Sequence, residues 1–281
     1  MARILQGTEV VEALDAYITS EVALLKKRGI EPALAIVRVG ERGDDVTYER
    51  GATRHAEKLG VAVRSIVLPE DTTTGSLIEI IESLNADIRV HGVLMFRPLP
   101  KHIDEDLVRN TLTPAKDIDG ITDLSLAGVF ANNATGFAPC TAQACLEILR
   151  HFEIEIRGKK AVVIGRSLVV GKPVAMLLLA EHATVTLAHS RTKDLPGMVK
   201  GADIVVACVG RAQIIGASYL SPEQIVIDVG INVTNDGSMV GDVNFDEAES
   251  VVGALTPVPG GVGAVTTSVL VKHVVQAASR I

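Results

Sequence analysis

The sequence predicts an α/β protein of two lobes, each built on a mainly parallel sheet. Three observations carry this. Apolar, β-branched runs alternate with segments of helical periodicity along most of the chain. One run, Ala161 to Ile164, ends in a glycine and turns directly into a helix. The 281 residues are 47% hydrophobic with no Trp, which suits buried strands covered by helices.

The elements follow in order. Glu9 to Arg28 repeats Val10, Leu14, Ile18, Val22 and Leu25 along one helical side. Pro32 to Val39 is a buried strand closed by Gly40. A charged turn, Glu41 to Asp45, leads into a helix over Thr47 to Leu59. Val61 to Leu68 reads as a strand, Gly75 to Asn85 as a helix, and Gly92 to Phe96 as a strand stopped by Pro98 and Pro100. A turn-rich stretch from Thr113 to Pro139 separates this βαβαβ series from a helix over Thr141 to Phe152. After the strand at Ala161 come a helix, a strand at Ala183 to Ala188, and short strands at Asp203–Ala207 and Gln224–Asp228. An amphipathic helix from Val265 to Ile281 closes the chain. The two lobes are expected to join near residues 137–155, and the cleft between them is the default ligand site.

The turn Gly165-Arg166-Ser167 before a helix offers unpaired N–H groups to a phosphate. Its glycines are irregular: Ser167 stands where a second glycine is usual, and Gly171 arrives one residue late. The next strand ends in His189-Ser190-Arg191-Thr192, with no carboxylate at the place, about 20 residues on, that usually holds ribose hydroxyls. Arg166, Arg191, Ser167 and Ser190 fit a 2′-phosphate better than a free hydroxyl, so NADP is favoured, with NAD as the alternative. The plainer reading of Arg191 is a carbonyl cap or a solvated side chain.

Composition removes other classes. A net charge of −7 argues against a nucleic-acid surface, and no apolar run reaches the roughly 18 residues of a membrane span. The N-terminal residues lack a signal-peptide core. Cys140, Cys145 and Cys208 show no metal spacing and read as reduced thiols, so no metal and a cytoplasmic setting are expected.

Three further segments complete a pattern: Pro114-Ala-Lys-Asp-Ile-Asp-Gly120, Gly136-Phe-Ala-Pro-Cys-Thr141 and Thr256-Pro-Val-Pro-Gly-Gly-Val-Gly263. Together with Gly165-Arg-Ser, Gly171-Lys-Pro173 and Asp228-Val-Gly-Ile-Asn232, in this order, they resemble the methylenetetrahydrofolate dehydrogenase/cyclohydrolase family over nearly the whole chain. The resemblance implies an N-terminal α/β folate lobe (1–140 plus 262–281), a Rossmann-like NADP-binding lobe (141–261), and a C-terminal helix returning to the first lobe. It also implies a homodimer. Tyr48 and Asp119 are carried over as catalytic residues. Tyr48, Phe96, Pro98, Leu99, Asp119, Pro259, Gly260 and Gly261 are carried over against tetrahydrofolate. Gly165, Arg166, Ser167, Gly171, Ser190, Arg191, Ile231 and Thr266 are carried over against the cofactor, although Thr266 or Thr267 also suits a cap for the last helix. Asp117 is read as a turn residue, and Cys140 and Thr141 as hinge.

Two departures stand out. The family usually shows a lysine four residues after the tyrosine, on the same helical face; here that residue is Ala52. Where the family has a glutamine before its Leu-Pro-Leu-Pro segment, this chain has Phe96, then Arg97. Arg54, His55 and Lys58 lie off the face or too far along it, and read as solvated helix surface. Hydride loss from the methylene carbon needs stacking and contact but no protein base, whereas hydrolysis of the methenyl cation needs water positioned and deprotonated. The expectation is therefore an oxidoreductase making methenyltetrahydrofolate, with a weak or absent cyclohydrolase step. A fully bifunctional enzyme and a degenerate folate- or nucleotide-binding paralogue are the alternatives.

Overall fold

The computed structural model describes residues 1–280. The chain divides into two compact units: Met1–Glu12 with Thr141–Thr266, and Ala13–Cys140 with the chain from Thr267 on. In chain order the elements are β1 (Arg3–Ile4), α1 (Gly7–Lys27), β2 (Ala33–Val39), α2 (Gly43–Lys58), β3 (Ala62–Leu68), α3 (Thr74–Ala86) and β4 (Gly92–Met95). Next come α4 (Glu105–Thr111), α5 (Asp123–Ala131) and α6 (Cys140–His151). The remainder is β5 (Lys160–Ile164), α7 (Gly171–Ala180), β6 (Thr184–Ala188), α8 (Leu195–Lys200), β7 (Ile204–Ala207) and β8 (Ile225–Asp228), then β9 (Asn232–Val233), β10 (Met239–Val240), α9 (Phe245–Glu249), β11 (Ala254–Leu255) and α10 (Val262–Ser279).

In the Ala13–Cys140 unit, β2 lies between β3 and β4 in a parallel three-stranded sheet. Leu34, Ala35, Ile36 and Val37 of β2 are fully buried, so both sheet faces are covered. That explains a strand that is apolar throughout rather than alternating. Each large side chain among them contributes about 1.5–3 kcal/mol by leaving water. Val37, Val39, Val93 and Met95 pack with Leu77, Ile81 and Leu84 of α3. Thr73 caps α3 by accepting the Ser76 N–H at 3.1 Å.

In the Thr141–Thr266 unit, a six-stranded sheet runs β1-β11-β8-β7-β5-β6, with every pair parallel. Val162, Ile164, Val205, Ala207 and Val226 are buried at its centre. β6 forms one edge. The ends of β5, β6 and β7 run into the loops at Gly165, His189 and Cys208, where ligands of such sheets bind.

Several expectations shift. Residues 1–12 belong with the second sheet, because Arg3 donates to Gly253 at 2.8 Å and Leu5 to Leu255 at 2.9 Å. Two-residue strands such as β1 and β11 carry no readable period. α2 starts at Gly43, inside the expected turn, since Asp44 and Asp45 suit the positive start of a helix. The turn-rich stretch holds α5, capped by Thr122 and ended by Asn132 in the left-handed conformation. Its apolar Leu124 and Phe130 are exposed, so no amphipathic signal announced it. The last helix begins at Val262 rather than Val265, and its expected final residue, Ile281, lies outside the described residues.

Candidate active site

Two groups of side chains converge, one in each unit. In the Thr141–Thr266 unit a cavity of about 540 Å³ is lined by Gly165, Arg166, Ser167, His189, Ser190 and Arg211, among others. Gly165 has φ +135°, and a Cβ there would collide with the Cys208 carbonyl. A Cβ at Gly171 would collide with the Gly165 carbonyl, so both glycines are required for the turn to fold back on α7. The Ser167 hydroxyl accepts the Val170 N–H at 3.1 Å. Arginines, hydroxyls and a glycine turn at a helix start fit a dinucleotide phosphate. Burial pushes the Cys208 thiol up to about 12, so it stays protonated.

Of the expected cofactor residues, Gly165, Arg166, Ser167 and Ser190 line this cavity. Gly171 supports it from α7, and Arg191 is exposed one residue beyond Ser190, outside the lining. Ile231 is 59% exposed and Thr266 donates to Val262 at 3.2 Å within its own helix, so neither lines the cavity. His189 and Thr192, read from the sequence only as part of the turn around Ser190, also line it, and so does Arg211, which carries no motif of its own.

In the Ala13–Cys140 unit, Tyr48 of α2 meets Phe96 edge to face, with centroids 5.8 Å apart. Its hydroxyl bonds Thr267 of α10. Burial of that hydroxyl, then the nearby Asp119 charge, raise the phenol well above its ordinary value. Asp119 is raised from 3.8 to about 6, first by burial and then by Asp117. Hydrogen bonds from the side chain and backbone of Cys140, and the charge of Arg97, oppose that rise.

The turn carrying Asp119 is fixed by Asp117, which is fully buried and accepts from Ile121 at 3.0 Å, Thr122 at 2.8 Å and the Ser125 hydroxyl at 2.6 Å. Asp117 is thus the turn residue the sequence suggested. Cys140 and Thr267 correct the reading. Cys140 touches Asp119 rather than acting as a bare hinge, and Thr267 faces Tyr48 from inside α10 rather than capping it.

Ala52, one turn after Tyr48, is 2% exposed. The neighbouring cations are committed elsewhere. His55 is not solvated surface: its Nε2 lies 3.0 Å from the Ser268 hydroxyl and 3.1 Å from Asp15. Lys58 pairs with Asp15 at 3.8 Å and remains exposed. Arg97 pairs with Glu105 at 3.4 Å, and Glu105 also accepts the Leu99 N–H at 2.8 Å. Pro98 and Leu99 line a second cavity of about 680 Å³ with Arg42, Lys101 and His102. Pro259, Gly260 and Gly261 belong to the other unit, where the Gly260 carbonyl accepts the Gly7 N–H at 2.8 Å. Among the described residues no group of three His, Cys, Asp or Glu is arranged to hold a metal, and no helix is long and apolar enough to cross a membrane.

Comparison with known proteins agrees with this layout. Residues 5–119 match the catalytic domain of tetrahydrofolate dehydrogenase/cyclohydrolase, and residues 139–281 match its NAD(P)-binding domain. The bifunctional protein FolD of Carboxydothermus hydrogenoformans is 50% identical over 279 residues, covering 99% of this chain and 97% of its own. The crystal structure of FolD methylenetetrahydrofolate dehydrogenase/cyclohydrolase from Campylobacter jejuni is 34% identical with a TM-score of 0.97, over 100% of this chain and 99% of its own. The Trypanosoma brucei dehydrogenase-cyclohydrolase, complexed with NADP cofactor and inhibitor, is 36% identical with a TM-score of 0.91, over 99% and 98%. With both halves matched in order, the chain belongs to the tetrahydrofolate dehydrogenase/cyclohydrolase family of enzymes, one of its units being that family's NAD(P)-binding domain.

Proposed function

We propose that this chain is an NADP-dependent methylenetetrahydrofolate dehydrogenase whose cyclohydrolase step is weak or absent. The observation that carries this is the pair Ala52 and Phe96: one is buried beside Tyr48's turn and the other packs on the Tyr48 ring. Both stand where the resemblance calls for a lysine and a glutamine. NADP, when bound, accepts the hydride. Arg166, Ser167 and Ser190 hold its phosphates and ribose, with no carboxylate at the end of β6 to repel a 2′-phosphate. NADP over NAD is also supported by the cofactor in the Trypanosoma brucei relative.

On the folate side, Tyr48 and Phe96 give the pterin and its neighbouring ring an aromatic wall, and Asp119 accepts from pterin N–H donors. Pro98 and Leu99 add folate contacts within this unit; Pro259, Gly260 and Gly261 are assigned to the folate by the resemblance alone. Hydride loss leaves a cation spread over the two nitrogens flanking the carbon, so this step is served by orientation. Hydrolysis needs a group to take a proton from water. Tyr48's raised phenol is a poor base, and His55 and Arg97 are held by Ser268, Asp15 and Glu105.

A fully bifunctional enzyme is the second reading, favoured by relatives named bifunctional at 44–50% identity over nearly the full chain. Two assays on one preparation separate the readings. Methenyl formation from methylenetetrahydrofolate is followed with NADP and with NAD, and decay of supplied methenyltetrahydrofolate is compared with its spontaneous rate. Dehydrogenation without enzyme-dependent decay supports the monofunctional reading; rapid decay supports the bifunctional one; silence in both leaves a binding-only paralogue. A homodimer is also proposed. The edge position of β6, with Leu187 exposed, supports it, and a light-scattering mass of one chain would refute it. The three free thiols suit a reducing, cytoplasmic setting.

A further inference from the structure

Two buried aspartates interlock behind one wall of the nucleotide cavity. Asp242 is fully buried, and its carboxylate accepts three consecutive backbone N–H groups: Val209, Gly210 at 2.9 Å and Arg211 at 2.9 Å. It also accepts the Asn232 side-chain amide at 3.0 Å. Asp228, 3% exposed, accepts Gly230 at 2.9 Å, Val243 at 2.9 Å and the backbone N–H of Asp242 itself at 3.0 Å. A Cβ at Gly230 would strike the Asp242 carboxylate, and one at Gly241 would strike that of Asp228. Each glycine is therefore needed to admit the other strand's acid.

Val209 and Arg211 line the cavity, and Gly210 between them has φ +71°. Gly210 and Arg211 are exposed, so a solvent-facing loop is tied to a wholly buried anion. Burying a carboxylate is costly unless it is fully hydrogen-bonded, and here four donors satisfy it.

We propose that Asp242 is a positioning residue for the dinucleotide: it fixes the 209–211 loop so that Val209 and Arg211 are presented to the cofactor. Its three backbone amides are already engaged, so the loop meets the cofactor with side chains, while phosphate is left to the Gly165 turn. This rests on the reading of the cavity as the nucleotide site.

The test is NADPH binding followed by fluorescence titration, with KM for both substrates. Asp242→Asn turns an amide donor toward backbone donors; it should raise the NADPH Kd roughly tenfold while the folate KM stays within about twofold. Gln224→Leu is the stability comparison. Gln224 is also buried, but its amide bonds Val199 and Ala202, outside the cavity lining. It should lower Tm without moving the NADPH Kd. An equal loss of NADPH affinity in both variants would show general softening and overturn the inference, as would wild-type affinity in Asp242→Asn. If Asp242→Asn does not fold, Asn232→Ala removes one donor from the same carboxylate and should raise Kd roughly threefold; an unchanged Kd there overturns the proposal. A wild-type protein that binds no NADPH at all would remove the nucleotide reading and this inference together, a result distinct from equal binding by both proteins.

Discussion

The cavity at Gly165 and the Tyr48 cluster are built by different means. The first is made where three parallel strands end, and its shape depends on glycines, backbone amides and buried carboxylates. The second is assembled from single side chains on α2, the end of β4, the Asp117 turn and α10. A site made of backbone keeps its geometry when a lining side chain changes. A site made of single side chains loses a chemical step when one is replaced, with the fold untouched. Under the proposed function, Ala52 and Phe96 are the second case: Ala52 is buried and Phe96 packs on the Tyr48 ring, and neither side chain can take a proton from water.

The comparison is broken most directly by restoring the missing groups. Ala52→Lys with Phe96→Gln should raise enzyme-dependent methenyltetrahydrofolate decay ~10²-fold or more. Ala52→Lys alone should gain less and cost about 1–3 kcal/mol of stability, because Ala52 is 2% exposed and leaves no room. If the double variant shows no gain at all, the assignment of the lost step to these two positions fails.

Asp119→Asn comes next, with a fall in dehydrogenase kcat/KM for the folate of roughly 10–100-fold and an unchanged KM for NADP. The pH dependence sharpens it. Asp119 titrates near 6 in the folded chain, against an ordinary 3.8, so wild-type folate affinity should weaken as pH falls through about 6. The stability sign is opposite. Between about pH 4 and 6 the folded state keeps a proton that the unfolded state releases, so ionising Asp119 destabilises the fold as pH rises. The asparagine variant should therefore melt above wild type at pH 8 and lose that advantage by pH 4.

On the nucleotide side a single side chain should matter less. Arg166→Ala should raise KM for NADP about tenfold, leave KM for NAD nearly unchanged, and leave the folate KM alone. Equal loss with both nucleotides would place Arg166 away from the 2′-phosphate. The smallest effect belongs to Tyr48→Phe, which keeps the ring against Phe96 but deletes the bond to Thr267. It should cost about 0.5–1.5 kcal/mol in thermal unfolding and change the folate KM less than about fivefold.

What could be read in advance follows the range of the signal. β2 and the Ala161–Ile164 strand announce themselves because strands buried on both faces are continuously apolar. The Gly165 turn and the acidic turn at Asp117 were legible because a special backbone needs special residues in a short span. α5 was missed since two of its largest apolar residues, Leu124 and Phe130, are exposed, and β1 and β11 since two residues hold no period. Cys140 and Thr267 looked like hinge and cap; nothing near them in sequence says that they meet Asp119 and Tyr48.

The sequence by itself determined the alternation of strands and helices, the glycine turn, and the presence of Ala52 and Phe96 where the resemblance leads to a lysine and a glutamine, all of which are local choices of residue type. Tertiary structure alone decided which acids pair with which amides. Asp242 lies more than thirty residues from the loop it holds, and His55 more than two hundred from Ser268. Such contacts depend on where packed elements bring distant residues, and no local pattern of hydrophobicity or turn chemistry encodes that meeting.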